Sequence, residues 1–289
     1  MIQKTASEHF REKFGFKVYK LSLDGGMTCP NRDGTKGTGG CIFCSDSGSG
    51  EFAEKQCGDI AFQIEKAKQR VEAKNKGGKY IAYFQSFSNT YAPVERLKKL
   101  FYSAIEQDDI VGLSVATRPD CLPDEVIDLL DEINMAKPVI IELGLQTSNE
   151  VTADYIRRGY SNNEFLSAVS RLKSMGIEVI AHMIIGLPNE TREDAKRTAR
   201  FISESGVDGI KFHLLHILKG TDLFTEYQTG RVKALSMEEY TDILVDCISE
   251  LREDMVVHRL TGDGAKRDLV APLWSADKKR VLNYIMKRI

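Results

Sequence analysis

"CPNRDGTKGTGGCIFC", residues 29–44, places three of the chain's six cysteines within sixteen residues. Cys41 and Cys44 form a tight chelate, and Cys29 closes the loop from upstream, with eleven residues between it and Cys41. The segment between them holds four glycines and a proline. Glycines permit the backbone angles needed to wrap a chain round an inorganic core. The stretch is too polar for core and has too few partner cysteines for a disulfide framework. A structural zinc site wants a fourth Cys or His nearby, but no histidine occurs between His9 and His182. A cluster with four cysteine ligands is short by one as well. Three ligands leave one metal position open to a small molecule, as catalytic metal sites do.

The fold follows from what surrounds this loop. "KVYKLSLDG" (17–25) precedes it and reads as a strand. "IAYFQSF" (81–87), "IVGLSVAT" (110–117), "PVIIELGLQT" (138–147), "IEVIAHMIIGLP" (177–188) and "VDGIKFHLL" (207–215) read as five more. Each is short and nearly continuously apolar, as buried parallel strands are. Helical spacing recurs between them, at Ile60, Ile64, Ala67 and Val71, at Leu97, Phe101 and Ile105, and at Val126, Leu130 and Ile133. It returns at Phe165, Val169 and Leu172, and at Ala195, Ala199 and Ile202. "SNNE" (161–164) and "SMEE" (236–239) have capping-box form.

Six strand–helix units imply an α/β protein with a parallel sheet and right-handed crossovers. Six are too few for a closed eightfold barrel, so a partial (β/α)6 barrel is expected, with an open doubly wound sheet as its competitor. Either fold puts the active site at the C-terminal ends of the strands, where the cysteine loop lies. The expected division is a barrel core over 1–235 and a C-terminal helix and basic cap over 236–289.

At 289 residues the chain is long enough to bury a large core. No apolar run reaches membrane-span length, and the N-terminus lacks the apolar core of a signal peptide. A cytoplasmic protein without a membrane partner is expected, where clustered cysteines bind metal or catalyse rather than pair. Net charge is −2, so the whole chain shows no nucleic-acid footprint. Residues 255–289 nevertheless carry eight Lys/Arg against three Asp, enough for a local phosphate-binding surface or for solvated helix faces.

The cysteine spacing, with "SVATRPDCL", "IELGLQT", "RRGYS", "AHMIIGLPNET" and "LKGTDL", resembles the radical S-adenosylmethionine superfamily. Within it the pattern looks like the branch of the Elongator catalytic subunit, whose first cysteine gap is longer than the usual three residues. The resemblance covers nearly the whole chain. It implies that Cys29, Cys41 and Cys44 hold a 4Fe–4S cluster whose fourth iron takes S-adenosylmethionine. One electron, from a donor such as flavodoxin or ferredoxin, then cleaves the sulfonium and yields a 5′-deoxyadenosyl radical that abstracts hydrogen from substrate.

The same resemblance puts Phe43 near adenine, Gln85, Ser86 and Asn89 near the methionine amine, and Arg158 against its carboxylate. Gly186, in "MIIGLP", permits close approach of adenine to backbone. The sequence departs from the family at "FQSFSNTY", which lacks the usual Gly-Gly-Glu edge. Glu142 and Gln146 share a strand face and are expected to contact cofactor or substrate. Lys211, His213 and His182 converge on the barrel mouth, where they bind an anionic substrate or move protons. His216 and Lys219 lie just beyond. Arg118 and Asp120 either shape a loop as an ion pair or face substrate. "HRLTGDGAKRDLVAPLW" (258–274) either grips phosphates and stacks a base or caps the barrel edge. Cys57, Cys121 and Cys247 are too scattered for a second cluster and read as small buried hydrophobes.

Relatives in this branch act on the wobble uridine of tRNA at or through C5, so tRNA is the expected partner. Elongator-type proteins add an acetyltransferase domain. This chain has no room for one and reads as a stand-alone, bacterial-type member. The alternative is a non-catalytic zinc- or cluster-bearing RNA-binding protein.

Overall fold

Eight strands run parallel in one sheet in the computed structural model, which describes residues 2, 4–46, 48, 59–75 and 78–289. Cys57 lies outside the described residues. The strands of the main sheet are β1 (Lys4–Thr5), β2 (Val18–Leu23), β3 (Lys79–Phe84), β4 (Ile110–Thr117), β5 (Val139–Gln146), β6 (Glu178–Ile185), β7 (Gly209–Leu214) and β9 (Val256–Arg259). A two-stranded sheet pairs β8 (Ile217–Leu218) with β10 (Leu269–Ala271) antiparallel. The main order is β1-β9-β7-β6-β5-β4-β3-β2. The six predicted strands are β2 to β7, laid down in sequence order. That order has no reversal point, so the doubly wound competitor is excluded.

The sheet curls. Lys20 on β2 reaches Glu142 on β5 at 2.5 Å, and Lys211 on β7 reaches the same carboxylate. In a flat sheet β2 and β5 would stand about 14 Å apart, three strand spacings. The contact requires a half-barrel with its side chains turned inward.

Period-two alternation sorts the two faces. Leu21, Phe84, Leu113, Val115, Ile141, Leu143, Val179, Ala181 and Phe212 pack outward against the helices in the main core. Inward, Ile81, Ile140 and Ile180 form an apolar plug with Phe10. Phe10 belongs to the helix Ala6–Phe14, which starts on a Thr5–Glu8 capping box and stops at Gly15, in the left-handed region at φ +78°. This helix seals the barrel floor. Burying each isoleucine of the plug contributes about 1.5–3 kcal/mol. The predicted boxes at Ser161–Glu164 and Ser236–Glu239 are both formed.

Residues 236–289 do more than cap. The helix Met237–Ser249 packs on the core, but β9 enters the main sheet between β1 and β7. The segment expected as an extension therefore adds a strand to the main sheet, and its helices and β10 lie outside that sheet. Among the described residues no helix is long and apolar enough to cross a membrane.

Candidate active site

The cysteine loop leaves the C-terminal end of β2 and is tied down by its own backbone. Arg32 N–H donates to the Cys29 carbonyl at 2.8 Å, Gly40 N–H to Asn31 at 2.7 Å, and Cys44 N–H to Cys41 at 3.0 Å. Asn31 is buried and donates to the Arg157 carbonyl at 2.5 Å, with its amide 3.6 Å from the Cys41 sulfur. Arg32 donates to the Ser45 carbonyl at 2.5 Å. Arg118 forms a two-pronged pair with Asp120, 2.8 Å on each prong, and turns its remaining nitrogen to the Cys29 sulfur at 3.8 Å. Lys36 pairs with Asp120 at 2.7 Å. Arg118 and Asp120 thus shape the loop and also direct positive charge at a cysteine.

These donors favour thiolate over thiol. The Cys41 thiol is lowered to about 7, first by the hydrogen bond with Cys44 and then, against burial, by Arg118, Asn31 and Arg32. Cys29, Cys41 and Cys44 all line one cavity of about 350 Å³. Among the described residues no three His, Cys, Asp or Glu side chains close on a single ion-sized point. The three sulfurs instead border a shared space. Hydrogen bonds to sulfur and a set of three cysteines are the surroundings an iron–sulfur cluster takes.

Glu142 sits at the inner end of the same cavity, 1 % exposed. Lys20 binds one oxygen at 2.5 Å, joined by Ser114 at 3.1 Å. Its other oxygen accepts from Tyr83 at 2.8 Å and from His182 at 2.8 Å, and pairs with Lys211. Burial alone would raise this carboxyl, but the Lys20 and Lys211 ammoniums hold it well below the usual range. Burial pulls Lys211 down to about 7 despite its bond to Glu142, and pulls His182 down to about 4. The His182 and His213 rings are 4.9 Å apart. Near neutrality this cluster holds one carboxylate, neutral imidazoles and an amine poised to gain or lose a proton.

The predicted residues fall into two groups. Phe43, Gln85, Gln146, Glu142, His182 and His213 line the cavity together with the three cysteines. Gln146 does so from a left-handed backbone, φ +68°, and its side chain lies over Gly144. A Cβ on Gly144 would stand 2.6 Å from the Gln146 amide nitrogen, so a larger residue there would displace the end of the Gln146 side chain. Lys211 lies beneath the lining, bonded to Glu142.

The other expectations meet different surroundings. Ser86 and Asn89 are buried behind the wall, and neither lines the cavity. The chain turns at Phe87, φ +60°, which breaks the alternation. Arg158 borders the cavity but is claimed by the loop it belongs to. It donates to the carbonyls of Tyr160 (2.8 Å), Leu145 (3.2 Å) and Thr147 (2.7 Å), to Asn162 (3.0 Å) and to Glu150 (2.8 Å). It is a brace there, not an open cation. Gly186, φ +93°, packs towards Leu235, and His182 and Ile184 are the residues of the preceding strand in the lining. Trp274 is half-buried, donates to the Leu235 carbonyl at 2.9 Å and meets the Tyr240 ring at a tilt, ring centres 6.0 Å apart. Cys121 and Cys247 are buried, as expected.

Lys20, Tyr83 and Asn31 were not singled out by the sequence, and Arg259 only as one residue of the basic segment 258–274. Lys20 carried a signal: a lysine between Tyr19 and Leu21 inside an otherwise apolar strand. The segment 258–274, read as either a phosphate grip or a cap, reaches the cavity through Arg259, Gly262, Asp263, Gly264 and Ala265.

Residues 32–202 match the model of the radical SAM superfamily, and residues 207–289 match the radical SAM C-terminal domain. YtqA of Bacillus subtilis is 47% identical over 285 residues, spanning 99% of this chain and 88% of YtqA. The tRNA uridine(34) acetyltransferase of Methanocaldococcus jannaschii is 26% identical over 137 residues, 46% of this chain and 25% of that protein. Among solved structures, the archaeal Methanocaldococcus infernus Elp3 with an N-terminal deletion shares the fold, with a TM-score of 0.70 and 16% identity. That match covers 94% of this chain and 63% of the Elp3 chain.

Proposed function

The chain belongs to the radical SAM superfamily, and we propose that it processes a substituent at C5 of the tRNA wobble uridine, using one 4Fe–4S cluster and S-adenosylmethionine. The two cofactors come with the superfamily, as does the assignment to an enzyme class. The observation that carries the reading is one continuous cavity, with three cysteines at one end and the Glu142–His182–His213 cluster at the other. When bound, the cofactors supply one-electron cleavage of a sulfonium and abstraction of a hydrogen atom from substrate.

The chain's own residues bind, orient and exclude. Cys29, Cys41 and Cys44 hold the cluster, with Arg118 and Asn31 donating towards the sulfurs. Phe43, Gln85 and Gln146 face S-adenosylmethionine. Arg158, Ser86, Asn89 and Gly186 keep the walls in place without touching it. At the far end Lys211 and His182 exchange a proton through Glu142, while His213 meets the substrate. Flavodoxin or ferredoxin supplies the electron, in the reducing cytoplasm that free thiolates require.

Support for tRNA comes from two sides. The similar acetyltransferase acts, by its name, on tRNA uridine 34. The C-terminal helix also offers a basic face: Lys279, Arg280 and Lys287 border one surface groove, and among the described residues no acidic side chain pairs with them. A cavity this deep beside three cysteines disfavours the non-catalytic alternative.

Anaerobic reconstitution tests the class: about four irons per chain and release of 5′-deoxyadenosine are expected. Comparing tRNA nucleosides from a deletion strain and its parent tests the substrate. Unchanged C5-substituted uridines would remove tRNA and leave the enzyme class standing.

A further inference from the structure

Arg259 ends β9 beside Lys211, its register partner on β7. Its side chain lines the cavity with His182, His213 and Gly262. The other charged groups of the lining are engaged. Glu142 is held by Lys20 and Lys211, and Asp263 by Lys278. Arg32 is bound to backbone carbonyls, Arg118 to Asp120, and Arg158 to Glu150. Among the described residues Arg259 has neither a carboxylate nor a carbonyl on its guanidinium.

Lys20 and Lys211 already serve the single carboxylate of Glu142, and Arg259 stands beside Lys211 without a share in it. A charge inside a cavity costs free energy unless something pairs with it. Next to it, the Nε2 atom of His213 is buried without a hydrogen-bond partner. A half-buried guanidinium with no protein acceptor among the described residues and an unpartnered buried imidazole nitrogen thus share the inner end of the cavity.

We propose that Arg259 and His213 form a subsite for an oxyanion, a carboxylate or a phosphate, carried by the part of the substrate that reaches this end. The guanidinium presents a planar fork of donors matched to two oxygens of such a group. Burial keeps the His213 imidazole neutral, so it adds one N–H rather than a charge. The proposal rests on the reading that the histidine end receives substrate. It adds the chemical class of what is received. Arg259 is a specificity-determining residue here, not an acid or base.

Calorimetric titration of inorganic phosphate and of acetate, at constant ionic strength, tests this on the reconstituted full chain saturated with S-adenosylmethionine. Saturable binding of at least one probe is expected, weakened roughly 10- to 100-fold in Arg259→Gln. Arg267→Gln, at an exposed arginine paired with Asp268, should bind as the parent does. Arg259→Lys keeps the charge without the fork and should fall between. Phosphate alone assigns a phosphate-bearing substrate, and acetate alone a carboxylate-bearing one. If Arg259→Gln does not fold, His213→Phe reads the same subsite and should weaken binding several-fold. No saturable binding by the parent, or equal binding by the variants, overturns the proposal. Because tRNA is absent from the cell, an oxyanion-binding chain that leaves tRNA unmodified would sink the tRNA reading alone.

Discussion

Lys20 on β2 and Glu142 on β5 meet at 2.5 Å inside the half-barrel, with β3 and β4 between them in the sheet. The pair ties two distant strands across the curve. Glu142→Gln keeps the shape and removes the charge, leaving the half-buried Lys20 ammonium, and Lys211 wherever it is protonated, without their counterion. Breaking such a pair costs about 3–5 kcal/mol. Urea unfolding should show that loss, while the double variant Lys20→Met/Glu142→Leu should lose less. A drop under about 1 kcal/mol in Glu142→Gln would mean the tie does not hold the sheet.

Lys211 sets a pH dependence. Burial lowers it from 10.5 to about 7. Between these values the unfolded chain binds a proton that the folded chain has released, so stability rises with pH across that window. Below about pH 7 both states are protonated, and Lys211 adds no slope. Urea midpoints from pH 6.5 to 10 should climb in the parent and flatten in Lys211→Met. Parallel curves would show that the lysine stays charged when folded.

The five described cysteines should divide by place in the fold. Cys29→Ala, Cys41→Ala and Cys44→Ala should each lose iron and the release of 5′-deoxyadenosine. Cys121 and Cys247 are buried, and burial pushes both thiols up to about 12, so neither is a ready ligand. Cys121→Ala and Cys247→Ala should keep both properties. Iron loss from either would point to a ligand set different from the loop's three.

Arg158 separates bracing from binding. Its guanidinium serves five partners from β5 to Asn162, and Lys supplies no matching fork. Arg158→Lys should lower stability by roughly 2–4 kcal/mol, with little change in KM for S-adenosylmethionine. A large KM increase at unchanged stability would restore the carboxylate contact expected from the family.

The basic helix makes a salt-dependence prediction. Replacing Lys279, Arg280 and Lys287 by Gln should weaken tRNA binding and reduce the slope of log affinity against log salt by about 0.7–0.9 per lost phosphate contact. Filter binding across a salt series measures this. An unchanged slope would place tRNA elsewhere on the surface.

The six long strands and the cysteine loop were readable because both are local patterns: a period along the chain and a spacing of ligands. β1 and β9 were not. Two and four residues carry too little periodicity, and what makes them strands is each other. Ser86 and Asn89 were assigned by position after a strand, and the turn at Phe87 sends them behind the wall. Arg158 was assigned by family, whereas its partners Glu150 and Asn162 lie close by in sequence and capture it. The Glu142 network joins β2, β3, β4, β5, β6 and β7, and no reading of a single strand assembles it. Lys20 advertised itself only as an oddity. Arg259 needed β9 to exist before it had an address.

β1 pairs with β9 through Lys4↔Val256 and Thr5↔Val257. During synthesis the first strand must wait for some 250 residues to leave the ribosome before it has a neighbour, a closure that low-contact-order folds avoid. The edge of the barrel and the guanidinium at its inner end arrive in the same late segment. An interrupted polypeptide would carry all three loop cysteines yet lack the residue proposed to receive the substrate.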